Sequence, residues 1–326
     1  MSIQKIARLA GVSVATVSRV LNNSDTVKAK NRERVLQAIK ESNYQPNLLA
    51  RQLRTARSNM ILVMVSNIAN PFCAEVVKGI EEEAEKNGYR ILLCNSGSDL
   101  ARSTSGLQLL SGKMVDGIIT MNALSSLPEL TTMIGDAPWV QCAEYADTGS
   151  ISCVGINDVE AAQGRYPGWP IAAADASRSL ITTSAIAMPV CASAAIKSVL
   201  HVHGLAYQQV TYAQDLSAAA GKRAMEQLLS RDEKPDAVFA VSDSLAAGAL
   251  RAIAQAGLRV PEDIAVIGFD GTELAEVVSP QLTTVEQPSR AIGRTAVSLL
   301  MKRIDDPDAA VERVMMDWRV IDRASV

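Results

Sequence analysis

Ile6-Ala-Arg-Leu-Ala-Gly-Val-Ser-Val-Ala-Thr-Val-Ser-Arg-Val-Leu-Asn22 is the stretch whose reading decides the fold of the first part of this chain. Ser2 is placed to cap a helix that carries Ile3, Ile6, Ala7 and Ala10 at helical spacing. Gly11 breaks that helix, Val12 turns the chain inward, and Ser13 caps a second helix through about Leu21. On the second helix Thr16, Val17, Val20 and Leu21 face the first, which leaves Val14, Ala15, Ser18 and Arg19 outward. A third amphipathic stretch, about Lys30 to Ser42, repeats Val35 and Ile39. Three short helices with a tight glycine turn form the helix-turn-helix pattern, an all-α head whose second helix enters the DNA major groove.

Charge supports that reading. Residues 1–60 carry eleven Lys or Arg against Asp25, Glu33 and Glu41, so this part is +8 while the chain as a whole is −3. A basic module on an acidic body is the footprint of a nucleic-acid binder, because neutralising phosphates supplies much of the affinity. The remainder is rich in apolar residues, with 48% hydrophobic content overall and no run long enough to cross a bilayer. The start of the chain does not read as a signal peptide. The five cysteines (Cys73, Cys94, Cys142, Cys153 and Cys191) are scattered, as free thiols in a reducing compartment would be. His201 and His203 have no cysteine cluster near them, and no metal or cofactor is expected. A cytoplasmic, nucleoid-associated protein without membrane contact is the expectation.

From Asn59 the pattern changes to apolar strands alternating with amphipathic helices. Strands are read at Met60–Val65, Ile91–Cys94, Gly117–Met121, Val140–Ala143 and Ile151–Ile156, with helices at 71–87, 101–113 and 126–135. A second set follows: helix 216–230, strand Ala237–Val241, helix 243–256 and strand Ile264–Phe269. This alternation predicts an α/β core of doubly wound parallel sheets in two lobes, the periplasmic-binding-protein-like architecture, with a ligand cleft at the carboxyl ends of the strands.

The head resembles that of the lac repressor (LacI/GalR) family. The quoted run and Asn43-Tyr-Gln-Pro-Asn47 carry the likeness; Lys5 departs from it, standing where the family usually has an acidic residue. The core resembles the family through Ser66-Asn-Ile-Ala-Asn-Pro-Phe72, Val241-Ser-Asp-Ser-Leu-Ala-Ala-Gly248, Val260-Pro-Glu-Asp-Ile-Ala-Val-Ile-Gly-Phe-Asp270 and Thr283-Thr-Val-Glu-Gln-Pro288. The resemblance implies a homodimeric repressor on palindromic double-stranded operator DNA. Val14 and Ala15 would read bases, Arg19 has donors for guanine, and Ser13, Thr16 and Ser18 suit phosphates or capping. The segment Pro46 to Thr55 would be a hinge helix with Leu53 wedged into the minor groove, flanked by Asn47, Arg51 and Arg54. In the cleft, Phe72 and Cys73 would line one wall and Phe239, Ser242, Asp243 and Asp270 the other, around a sugar, sugar phosphate or nucleoside. Asp243 reads first as a helix N-cap, for Leu245 and Ala246 begin a helix.

The implied division is a head at 1–45, a hinge at 46–58 and a core at 59–326. Lobe one takes about 59–158 plus part of 288–326, and lobe two about 159–287. No leucine heptad follows Trp318-Arg-Val-Ile-Asp-Arg323, so a dimer is expected in preference to a tetramer. No nucleophile elbow, phosphate loop or zinc-protease motif is present, and catalysis is not expected. The rival from another class is a cytoplasmic sugar-processing enzyme with an appended DNA-binding head.

Residues from about Gly164 to Ala195 break the pattern. Charge falls to Arg165, Asp175 and Arg178, alanine is abundant, and Pro167, Pro170, Pro189 and Trp169 interrupt. The resemblance implies a helix, a strand and then a loop whose arginine binds ligand, yet familiar character resumes only at Lys197. Preserved length with lost pattern is what two compensating frameshifts produce. That reading would remove the arginine and cost lobe two a strand.

Overall fold

The computed structural model describes residues 2–21, 26–42, 57–95, 100–121, 127–145, 149–163, 179–183, 210–213, 215–232 and 234–326. Two compact units divide the chain, Met1–Ser58 and Asn59–Val326.

The first unit is built of helices α1 (Ile3–Ala10), α2 (Val14–Leu21) and α3 (Ala29–Ser42). Ser2 caps α1 by accepting from the Lys5 amide, and Gly11 ends it at φ 60°, a left-handed conformation that costs glycine little. Its core is Ile6, Ala7 and Ala10 of α1 against Val17, Val20, Val35 and Ala38, with Val12 and Ile39 packed at the edge.

In the second unit the elements follow in the order β1 (Met60–Val65), α4 (Pro71–Lys86), β2 (Arg90–Asn95), α5 (Leu100–Ser111), β3 (Gly117–Thr120), α6 (Leu127–Ile134), β4 (Trp139–Cys142), β5 (Ser152–Ile156) and α7 (Asp158–Gln163). Then come β6 (Ser179–Thr183), β7 (Val210–Ala213), α8 (Ala218–Leu229), β8 (Ala237–Ala240), α9 (Asp243–Gln255), β9 (Ala265–Asp270) and α10 (Leu274–Val277). The chain closes with β10 (Thr283–Glu286), α11 (Ser289–Asp305), β11 (Arg313–Met316) and β12 (Arg319–Ile321). Two six-stranded sheets result, in the orders β11-β5-β4-β3-β1-β2 and β12-β10-β9-β8-β6-β7. Every pairing is parallel except that of β10 with β12.

Strands β1, β3, β4 and β5 are apolar runs almost wholly buried, as a parallel sheet covered on both faces requires. Asn70 starts α4 by accepting from the Phe72 amide at 2.8 Å, with Pro71 in the first turn, where its missing N–H costs nothing. After β10 the chain leaves the second sheet: α11 packs on α4 and β11 joins the first sheet, before β12 returns to the second. The chain therefore runs between the sheets three times.

The sequence reading found no strand between 164 and 195, and here the structure corrects it. Ser179–Thr183 is an interior strand, pairing with both β7 and β8. Its Leu-Ile-Thr-Thr run has β propensity, and a sheet ladder uses backbone groups whatever the side chains are.

Glycines let the covering helices touch. A Cβ on Gly248 of α9 would overlap the Ala218 carbonyl of α8, and one on Gly79 of α4 would overlap the Arg290 carbonyl of α11. Both obstacles are backbone, which cannot rotate away. Gly248→Ala is expected to destabilise the core by roughly 1–3 kcal/mol, read as a fall of several degrees in the thermal midpoint. An unchanged midpoint would mean that the two helices separate freely.

Candidate nucleic-acid and effector sites

In the head, burial sorts α2 into two faces. Val17 and Val20 are buried, Thr16, Ser18 and Leu21 half-buried, and Val14, Ala15 and Arg19 exposed. Val14 is 42% exposed, a large apolar side chain left in water at the start of a helix that has a core available to it. Ser13 holds the helix start, accepting from the Thr16 amide at 3.1 Å, with its hydroxyl 2.9 Å from Thr16 Oγ1. An open groove between α1 and α2 is lined by Gln4, Arg8, Ser13 and Val14. The sequence reading passed over Gln4 and Arg8, although their i, i+4 spacing places them on one face of α1. Asn47, Arg51, Leu53 and Arg54 lie outside the described residues.

In the core, parallel strands put the ends of β1, β8 and β9 to use. Phe72 and Cys73 open α4 after β1, and both are buried. Asp270 ends β9 at φ 109°, a backbone conformation rare for a residue with a side chain and one that clusters at functional sites. Gln287 donates to Asp270 from Nε2 at 3.0 Å. Burial pushes the Cys73 thiol up to about 12, helped by the negative charges of Glu144 and Asp270, so the structure brings this first-sheet thiol towards the second-sheet carboxylate. Phe239 packs edge-on against Phe269 with ring centroids 6.1 Å apart and belongs to the apolar core.

Ser242 and Asp243 carry a different burden from the one expected. Ser242, not Asp243, caps α9, accepting from the Leu245 amide at 3.2 Å. Asp243 is fully buried, and its carboxylate accepts from the Thr272 amide (2.6 Å), the Thr272 hydroxyl (2.9 Å) and the Thr284 hydroxyl (2.5 Å). Both side chains are buried and bonded within the fold, Ser242 at the start of α9 and Asp243 to Thr272 and Thr284.

The acids form a group that sequence reasoning missed in part. Burial raises the Asp270 carboxyl well above its ordinary range, and the charges of Asp243, Glu144 and Asp158 add to the effect. Asp158, in the first turn of α7, is raised to about 7 by burial. Glu144 and Asp158 lie far from Asp270 in sequence, and no local pattern marks them. Among the described residues, no cluster of His, Cys, Asp and Glu is arranged to hold a metal ion, and no helix is long and apolar enough to cross a membrane.

A helix-turn-helix with its recognition face open, on one chain with two parallel sheets, defines a DNA-binding transcription regulator. Residues 2–47 match the family described as bacterial regulatory proteins, lacI family, and residues 189–326 match a periplasmic binding protein-like domain. The chain belongs to the lacI family. It is 33% identical to an HTH-type transcriptional repressor PurR of Aliivibrio fischeri, covering 100% of this chain and 98% of that protein. The regulator RegA of Clostridium acetobutylicum is 31% identical over 99% of this chain and 98% of its own length. Among solved structures, the lac repressor dimer bound to operator and the anti-inducer ONPF superposes with a TM-score of 0.87 at 26% identity, over 100% of this chain and 98% of that one. These relatives are regulators, so the sugar-processing enzyme finds no support and the chain is not an enzyme.

The raised acid has a definite effect on stability. A carboxyl whose folded-state value lies above its unfolded one near 4 is favoured neutral in the fold. Its contribution is therefore greatest below that pH and is lost as pH rises toward the folded value. Asp270→Asn is expected to melt above the unsubstituted chain at pH 8, with the gap closing as the pH falls to about 4. A gap that stays constant over that range in thermal unfolding would contradict the raised value.

Proposed function

We propose that the protein is a homodimeric repressor that binds a palindromic operator and answers to a small molecule held in its core. The exposed Val14, Ala15 and Arg19 on α2 carry this reading. An apolar start to the recognition helix favours thymine methyl groups, and Arg19 supplies paired donors for a guanine edge. Ser13, Thr16 and Ser18, with Arg8 and Gln4 across the groove, suit phosphates. Residues 1–45 form the DNA-binding domain, 46–58 the hinge and 59–326 the effector-binding and dimerisation core. Within the hinge, Leu53 enters the central minor groove between Arg51 and Arg54, with Asn47 at its start, and the bend it makes brings more protein onto the DNA.

The effector lies between Phe72 and Cys73 on one side and Asp270 on the other, with Phe239 behind. A carboxylate at the end of a strand suits the vicinal hydroxyls of a sugar, a sugar phosphate or the ribose of a nucleoside. Structural relatives support that class: a CelR regulator at 29% identity is described as a cellobiose complex, and a regulator from Enterococcus faecium at 27% identity holds ribose. The regulated genes belong to carbohydrate or nucleoside use, and the protein works on the nucleoid in the cytoplasm. Ligand-driven change in the core biases the hinge between ordered and disordered states.

Fluorescence anisotropy at fixed salt tests the proposal, with a labelled palindrome carrying a central CG step against a scrambled duplex. The palindrome is expected to bind about 10³-fold tighter. Leu53→Ala should lose that preference, and Arg19→Ala should weaken binding about 10-fold or more. Equal, weak binding of both duplexes by the unsubstituted chain would count against the reading.

A further inference from the structure

Strands β6 and β7 are parallel neighbours, with Leu180 opposite Val210 and Thr183 opposite Ala213. A parallel pair needs a crossover that carries the chain back to the opposite edge, normally through a helix with an apolar face and a polar face. Other crossovers in this core meet that need: α4 joins β1 to β2, α8 joins β7 to β8, and α9 joins β8 to β9. After Thr183, by contrast, the chain reads Ser184-Ala-Ile-Ala-Met-Pro-Val-Cys-Ala-Ser-Ala-Ala-Ile196, with no charged residue and with a proline in mid-course. This first part of the crossover supplies no solvated face, charge returning only at Lys197, and Pro189 opposes a helix through its middle.

The genetic code fixes enough bases here to read the stretch in a second frame. Each codon is taken to start one base early, from the last base of Ser184 onward. The first four positions are glycine, serine, arginine or cysteine; aspartate, asparagine, histidine or tyrosine; serine, arginine or cysteine; and aspartate, asparagine, histidine or tyrosine again. The Met188–Pro189 junction then gives alanine without alternative. There follow a second glycine, serine, arginine or cysteine; leucine, valine or methionine; and, across the Cys191–Ala192 junction, arginine or cysteine. These alternatives admit a small residue, polar capping residues, then alanine, an aliphatic residue and a cation, the pattern of a turn that opens an amphipathic helix after a strand.

We propose that the stretch from about 180 to 196 is encoded one base out of register with the chain around it, so that this regulator lacks a polar turn that would strengthen its hold on an effector. Strands β6, β8 and β9 run parallel, so the chain leaves β6 at Thr183 on the sheet edge where Asp270 ends β9. Thr183 therefore ends at the edge where the effector lies in the reading given under Proposed function, on which this inference rests. The displaced frame leaves only the hydroxyls of Ser184 and Ser193 as side-chain polar groups between Ser184 and Ile196. DNA recognition needs none of these residues. The chain therefore keeps its operator binding, while its answer to ligand is weaker than that of a chain read in the other frame.

Two measurements decide it. The coding segment is sequenced from genomic DNA and translated one base early across codons 180–196. The full-length chain is then compared with a full-length version carrying that reading, by operator anisotropy and thermal unfolding with a panel of pentoses, hexoses and nucleosides. Aspartate or asparagine in the turn and arginine at position 192 are expected. The re-registered chain should shift operator affinity about 10-fold or more with one ligand, and the present chain less than about 2-fold. A stop codon in the early frame, histidine, tyrosine or cysteine at those positions, or an equal ligand response from both chains would overturn the inference. Failure of both chains to bind operator would refute the repressor reading instead, and the DNA sequence would still settle the frame.

Discussion

The buried carboxylate of Asp243 joins three pieces of chain that are distant in sequence. It stands in the first turn of α9 and accepts from Thr272, just past β9, and from Thr284 on β10. A carboxylate taken out of water costs several kcal/mol unless its lone pairs are filled. Burial still raises the Asp243 carboxyl above its ordinary range, while three donors at 2.9 Å or less and the charge of Arg323 oppose the rise. The same bonds fix the turn that follows Asp270.

That arrangement explains why the two acids differ. Asp243 is surrounded by hydroxyls and an amide, whereas Asp270 has one amide donor from Gln287 and three negative neighbours. An acid with so little compensation stays neutral more readily, and gains most when a ligand brings donors to it. The packing behind both is rigid. Glycines at the α4–α11 and α8–α9 contacts bring helix backbones together with no side chain between, so the strand ends sit on a frame with little room to adjust. Ion pairs across α4 and α11, such as Arg290 with Glu75 at 2.7 Å and Arg294 with Glu82 at 3.1 Å, lie in water and add little to it.

The head was legible nearly residue by residue. Ser2, Gly11 and Ser13 act through contacts within four residues of themselves, so their roles follow from spacing alone. The alternation of strands and helices from Met60 to Ile156 was legible for the same reason: buried parallel strands are short apolar runs between amphipathic helices. Strand β6 was missed because the β propensity of its short Leu-Ile-Thr-Thr run stands among residues without pattern, and what fixes it is a ladder to β7 and β8. Asp243 was read as a cap because it begins a helix, yet Ser242 takes that place. Once the cap is filled, the next carboxylate is free to bond across to β9 and β10.

The sequence by itself determined the helix-turn-helix, the two-lobed α/β core and the break in pattern after Gln163. These depend on periodicity, capping and charge along the chain. Tertiary structure alone decided which acids surround Asp270, which glycines are contact points, and that Thr183 and Asp270 leave the sheet at one edge. Those facts are set by strand order, and strand order joins residues dozens of positions apart that have no reason in their own neighbourhoods to meet.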